Sequence, residues 1–142
     1  MKIAVIPNLT REHAVKTTQD VLANLKNHDA QIIMADYCSD YFGADTYLCF
    51  LDIEKAIETA DVTIAIGGDG TILHSGKIAA KYQRPILGIN AGRLAFMAGL
   101  ERHELDLLGK LFTGEYTVDK RMMLEVLLFD ESGLCVKKYK CI

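Results

Sequence analysis

An apolar run, Val62-Thr63-Ile64-Ala65-Ile66, passes directly into Gly67-Gly68-Asp69-Gly70-Thr71. Such a run reads as a buried strand. A glycine-rich turn at the C-terminal end of a strand, leading into a helix, is where open α/β sheets hold phosphates. The three glycines let the backbone approach a ligand closely and take up positive φ. Asp69 stands in the middle of them, and two anions repel, so a carboxylate there is badly placed for binding a bare phosphate. It needs another task, such as taking a proton or helping to hold a metal ion.

The chain around this turn is long enough, at 142 residues, for one domain with a sizeable core. Half of it is hydrophobic and a quarter is charged, a globular composition. A formal net charge of -3 gives no basic field for nucleic acid. No apolar stretch is long enough to span a bilayer, so no membrane partner is expected. Met1 to Pro7 is too short for a signal peptide and reads as the first strand. The cysteines, Cys38, Cys49, Cys135 and Cys141, form no C-x-x-C pair, and no histidine stands at zinc-finger spacing. They read as free thiols of a cytoplasmic protein, and no structural metal site is expected.

Strand and helix signals alternate. Strands are expected over Lys2 to Pro7, Gln31 to Ala35, Val62 to Ile66 and Ile86 to Ile89. Thr10 is placed to cap a helix from about Arg11 to Asn27, with Ala14, Val15, Thr18, Val21, Leu22 and Leu25 on one face. Asp52 caps a short helix ending near Ala60, and Thr71 to Tyr82 is helical. A further helix runs from near His103 to Thr113-Gly114, while Tyr37 to Leu51 gives a mixed signal. This order implies parallel pairing through right-handed crossovers, hence an α/β fold with a doubly wound, three-layer parallel sheet. The loops after the Val62 and Ile86 strands should line one crevice. Near Tyr116 the pattern changes to β: Met122 to Phe129 and Leu134 to Ile142 read as strands around a hairpin turn, Asp130-Glu131-Ser132-Gly133. An apolar strand at the end of a chain needs further partners, so the chain is expected to be part of a longer protein or to pair with something.

Gly67-Gly68-Asp69-Gly70-Thr71 resembles the turn shared by NAD kinases, diacylglycerol and sphingosine lipid kinases and 6-phosphofructokinases. The block Gly88-Ile89-Asn90-Ala91-Gly92-Arg93-Leu94-Ala95-Phe96-Met97 narrows the choice, because it is similar to the NAD kinase block Gly-Val/Ile-Asn-x-Gly-x-Leu-Gly-Phe-Leu. Arg121-Met122-Met123-Leu124 resembles the Arg-x-x-Leu segment that opens the second, β-rich domain of that family. The resemblance spans essentially the whole chain. It implies a catalytic-motif domain over residues 1–115 and the start of a β-rich, NAD-binding domain over residues 116–142. It also implies phosphorylation of the 2′-hydroxyl of the adenosine ribose of NAD, with ATP or polyphosphate as donor and Mg2+ or another divalent metal required. NAD and ATP are then the partners, and the full-length protein is expected to be a homo-oligomer.

The same resemblance assigns roles. Asp69 is the general base and contacts the sugar, in keeping with a ribose hydroxyl being a poor nucleophile until a carboxylate accepts its proton. Gly67, Gly68 and Gly70 approach the donor phosphates, and Thr71 caps the following helix. His74 either touches the dinucleotide or is a surface histidine of an amphipathic helix. Asn90 fixes the second loop or contacts ligand. Phe96 lies near adenine or is a core residue, and Arg121 meets phosphate or forms an ion pair at the domain boundary. Lys137, Lys138 and Lys140 read as a solvated strand face. Two departures stand out: Ala95 replaces the usual glycine, and the Asn-Glu or Asn-Asp motif of the family's second domain is absent. These residues alone are therefore expected to bind nucleotides weakly and to turn over little NAD. A lipid kinase domain and a non-catalytic nucleotide-binding module are the alternatives.

Overall fold

The structure, a computed structural model, describes residues 1–141; Ile142, the last residue of the expected final strand, lies outside the described residues. The elements follow in the order β1 (Lys2–Pro7), α1 (Ala14–Lys26), β2 (Gln31–Ala35), α2 (Ser39–Phe42), β3 (Leu48–Leu51), α3 (Ile53–Thr59), β4 (Val62–Gly67), α4 (Asp69–Lys81), β5 (Ile86–Asn90), β6 (Leu100–Glu101), α5 (Lys110–Thr113), β7 (Leu124–Phe129) and β8 (Cys135–Cys141). Short 3-10 turns, Asp36–Cys38 and Leu105–Gly109, precede α2 and α5.

Six strands form one sheet in the order β3-β2-β1-β4-β5-β6, and every pairing in it is parallel. The two central strands, β1 and β4, meet in the register Ile3↔Val62, Val5↔Ile64 and Pro7↔Ile66. Helices cover both faces of the sheet, so these strands bury nearly every residue and read as unbroken apolar runs. Thr63 is the polar exception on β4, and its hydroxyl has no hydrogen-bond partner among the described residues. One layer holds α1, which packs on β1 and β4 and on the Leu105–Gly109 turn. The other holds α3 and α4, which touch each other. The doubly wound, three-layer sheet expected from the alternation is present.

The buried face of α1 carries Ala14, Thr17, Thr18, Val21, Leu22 and Leu25; of the residues expected there Val15 is only half-buried, and Thr17 joins them. Its start differs from expectation. Asn8 accepts hydrogen bonds on Oδ1 from the Thr10 backbone N–H (3.2 Å) and hydroxyl (2.7 Å), so Thr10 is used in an Asx turn that ends β1. The helix therefore begins at Ala14, not Arg11, and no side chain caps it. Asp52 does cap α3, accepting from the backbone N–H of Glu54 at 2.9 Å and of Lys55 at 3.4 Å.

Two strands escape the sequence reading. β3 lies inside the ambiguous Tyr37 to Leu51 segment and pairs with β2 at the sheet edge, where it is only half buried. β6 is two residues long and continues the sheet beyond β5. The helix expected from His103 is instead the 3-10 turn at Leu105 followed by the one-turn α5, which stops at Gly114 with φ +74. This segment is tied to α1. The Asn24 amide donates to the Leu105 carbonyl at 3.1 Å, and His28 stacks on Phe112 at 4.6 Å.

β7 and β8 form the expected antiparallel hairpin, with Gly133 at φ +82 in its turn. Asp130 Oδ1 closes that turn by accepting from the Ser132 hydroxyl and backbone N–H and from the Leu134 N–H. Lys137, Lys138 and Lys140 are exposed, and Lys138 pairs with Glu125 at 2.8 Å. Cys38, Cys49 and Cys135 are free thiols, and burial pushes the Cys38 thiol up to about 12. Among the described residues, no helix is long and apolar enough to cross a membrane.

The two capping positions separate by experiment. Asp52→Ala should lower the unfolding free energy by about 1 kcal/mol in urea titrations, whereas Thr10→Ala should change it by less than about 0.5 kcal/mol. In the same assay Thr63→Val should raise stability by up to about 1 kcal/mol, because it removes a buried hydroxyl without a partner.

Candidate active site

The order of the sheet reverses direction between β1 and β4. The chain leaves β1 toward one face and β4 toward the other, which opens a crevice at the carboxyl ends of the two strands. A groove of about 380 Å³ occupies this place, lined by Ile6 and Pro7 at the end of β1, by Asn8 to Thr10 after it, by Tyr37 and Ile53, and by Gly70, Thr71, His74 and Ser75 of α4. The sequence reading put the crevice between the loops after β4 and β5. Those loops do meet, but they bond directly: the Ala91 N–H donates to the Gly67 carbonyl at 3.0 Å, and the Met97 N–H donates to Asp69 Oδ1 at 2.8 Å. The open groove lies on the opposite side of the first turn of α4.

The glycines of the turn are used differently from expectation. Gly68 has φ -101 and ψ -173, ordinary extended backbone, and the glycines with positive φ are Gly114 and Gly133, outside this turn. Space explains them instead. A Cβ on Gly67 would stand 2.4 Å from the Thr71 hydroxyl oxygen, so this glycine is needed for the turn to close. A Cβ on Gly68 or Gly70 would meet nothing within 4 Å. The fold does not demand glycine at either place, and both positions leave bare backbone facing open space at a helix N-terminus. Unpaired N–H groups and the helix dipole favour an anion there.

The helix begins at Asp69 with Gly68 as its N-cap, two residues before the expected start. Thr71 is therefore not the cap. Its hydroxyl oxygen accepts from the Asn8 amide at 3.2 Å, which ties the loop after β1 to α4. Asp69 is part-buried, with one carboxylate oxygen held by the Met97 N–H. Its other oxygen has no partner among the described residues and is free to accept a proton. His74 is exposed and lines the groove. Asn90 is 2% exposed. Its Oδ1 accepts from the Gly92 N–H at 2.9 Å, and its amide donates to both Glu101 carboxylate oxygens at 3.2 and 3.1 Å. It supports the loop, as one of its two expected roles required.

Phe96 is 85% exposed, so the alternative of a core phenylalanine is overturned. It immediately precedes Met97, whose N–H holds Asp69. Arg121 is exposed and pairs with Asp119; no hydrogen bond links it to the glycine turn among the described residues. No group of three or more His, Cys, Asp or Glu side chains able to hold a metal occurs among the described residues.

Sequence reasoning missed Asn8, Tyr37 and Ser75. Tyr37 donates its hydroxyl to the Pro7 carbonyl at 2.9 Å, and burial, followed by the neighbouring Cys38 and Asp36, holds the phenol far above its usual range. It stays a hydrogen-bond donor at every physiological pH. Ser75 is fully buried against the groove, and its hydroxyl lacks a partner among the described residues. Asn8 had a legible signal, an amide side chain directly after the first strand. Tyr37 and Ser75 had none, because each depends on which elements the sheet order brings together.

This fold and this site have recognisable relatives. The family described as the ATP-NAD kinase N-terminal domain matches residues 3–116, and the chain belongs to the NAD kinase family. The NAD kinase of Thermoanaerobacter sp. (strain X514) is 36% identical over 125 residues, covering 87% of this chain and 44% of that protein. The NAD kinase of Clostridium kluyveri is 33% identical over 138 residues, covering 96% of this chain and 45% of that protein. The chain thus spans about half the length of the curated relatives it matches. A crystal structure of yeast NADH kinase complexed with NADH has the same fold, with a TM-score of 0.81 at 15% identity, over 99% of this chain and 46% of that one.

The two kinds of glycine make opposite predictions. Gly67→Ala should lower the unfolding free energy by about 1–3 kcal/mol, because the new methyl must displace Thr71. Gly68→Ala should leave the melting temperature within about 2 °C, since a Cβ there meets nothing within 4 Å.

Proposed function

We propose that the protein, in its complete form, transfers the terminal phosphoryl group of ATP to the 2′-hydroxyl of the adenosine ribose of NAD, giving NADP. The observation that carries this reading is Asp69: one oxygen is fixed by a backbone N–H and the other is free, at the end of a helix whose flanking glycines leave room for phosphate. Family membership supplies the chemistry.

The first turn of α4 divides the site into two sides. On the side of the loop after β5, the exposed Phe96 precedes the residue bonded to Asp69, and its ring is the aromatic surface on which an adenosine would stack. On the other side, the groove offers the N-terminal amides of α4, Asn8 and His74 to the donor's phosphates. In the transfer, the 2′-hydroxyl proton passes to the free oxygen of Asp69. The ribose oxygen forms its bond to the γ-phosphorus as the bond to the β,γ-bridging oxygen breaks, and ADP leaves. The protein's part is to position the reactants, to accept the proton and to offer fixed N–H dipoles to the phosphates.

A divalent ion fits this site as a companion of the donor. The described residues build no metal cage, so an ion here would be carried by phosphate oxygens and water, leaving the free oxygen of Asp69 to the proton. Bound there, it would neutralise charge on the phosphates. Polyphosphate offers the same groups and could replace ATP. Residues 116–142 open a second, β-rich domain in this reading. The exposed side chains of Leu124, Val126, Leu128 and Tyr139, which share one face of the hairpin, would be covered by it. A cytoplasmic location and homo-oligomeric assembly belong to the same proposal.

Asp69→Asn keeps an oxygen for the Met97 N–H and removes the base. In the full-length protein it should lower kcat for NADP formation by about 10²–10⁴-fold, with the KM for NAD changed far less. Activity equal to wild type would remove Asp69 from the chemistry and leave it a binding role only.

A further inference from the structure

The segment between β5 and β6 is a closed loop, residues 91–99, whose two ends return to the same strand. Asn90 is its last anchor going out, and the Gly99 N–H returns to the Gly88 carbonyl at 2.9 Å. Asn90 and Glu101 face each other in register across β5 and β6. Their side chains close the base of the loop: both Glu101 oxygens accept from the Asn90 amide, and this orients the other end of that amide, Oδ1, onto the Gly92 N–H. Glu101 is itself held, because its backbone N–H donates to the Glu104 carboxylate at 2.8 Å. The far side of the loop delivers the Met97 N–H to Asp69.

A primary amide can present either its oxygen or its nitrogen in a given direction, and the two ends differ little in shape. Nothing in Asn90 itself selects the oxygen for Gly92. The Gly92 N–H, which can only donate, and the Glu101 carboxylate beyond the other end, which can only accept, select it together. We infer that Glu101 is a positioning residue for Asp69. It fixes the orientation of Asn90, which sets the start of the loop, and the loop sets the carboxylate at its far side. Glu101 contacts no reacting atom in this arrangement. Its effect on the reaction rests on the role proposed above for Asp69, while its effect on the loop does not.

The test uses the full-length protein with Glu101→Ala and Glu101→Gln, a variant that retains one accepting oxygen. Amide hydrogen exchange at Gly92 and Met97 reads the loop, exchange in β4 reads the fold, and steady-state kinetics with NAD and ATP reads the chemistry. In Glu101→Ala, protection at Gly92 and Met97 should fall at least about tenfold with β4 unchanged, and kcat should fall about 10- to 100-fold while the KM for ATP stays within about threefold. Glu101→Gln should recover most of both. Unchanged exchange at Met97 in Glu101→Ala would overturn the proposal, as would a loss of protection extending equally through β4, which would make Glu101 a general stability residue. An intact kcat beside a loosened loop would also overturn it. If the wild-type protein forms no NADP, the kinase reading fails by itself, and the inference is still decided by exchange at Met97.

Discussion

Two parallel strands buried on both faces, β1 and β4, must pass their polar ends out of the sheet at the same edge, because neither can turn back on itself through a short hairpin. The first exit is made by Asn8, whose side chain ends the strand in an Asx turn. The second is made by Gly67, which has no room for a side chain against Thr71. The two exits are then tied together by the bond from Asn8 to Thr71. The groove, the start of α4 and the placement of Asp69 all follow from this pair of neighbouring exits.

Asp69 is supported from a third strand. The loop after β5 is bonded to the glycine turn at Gly67 through Ala91 and to the carboxylate through Met97. A carboxylate at a helix N-terminus already gains from the dipole, but the dipole does not choose which oxygen points where. The Met97 N–H does. The acid thus has one oxygen fixed by a backbone N–H and one without a partner among the described residues.

Much of this was legible in the sequence because the central strands are buried on both sides. Val62 to Ile66 and Ile3 to Ile6 announce themselves by unbroken apolar character, and the strand-to-glycine-to-helix order locates the site. The edges were harder. Leu48 to Leu51 pairs on one side only and is half exposed, so its apolar signal is diluted by neighbours such as Tyr47 and Cys49. Leu100-Glu101 is too short to show any period. Capping was read correctly at Asp52, where the local sequence settles it. It was misread at Thr10 and Thr71, where Asn8 competes for both hydroxyls. The role of Glu101 was invisible for a related reason: its partner is 11 positions away, and only the register of β5 with β6 brings the two side chains together. Of the two reasons the sequence offers for the glycines of the turn, positive φ does not hold, while open space beside the backbone does at Gly68 and Gly70.

The central position of β1 has a consequence for the order in which the molecule can be made. β1 leaves the ribosome before both of its neighbours, and one of them, β4, begins only at Val62. At about 5–20 residues per second, the pairing of Ile3 with Val62 has to wait roughly 3–12 s after Ile3 is synthesised. In that interval β2 can cover one edge of β1, while the other edge, with its row of free N–H and carbonyl groups, stays open. Helix α1, made directly after β1, is the element on hand to shelter the apolar face of the young strand. A nascent chain that stalls before Val62 would therefore present an unpaired, apolar edge, a template for pairing with another chain.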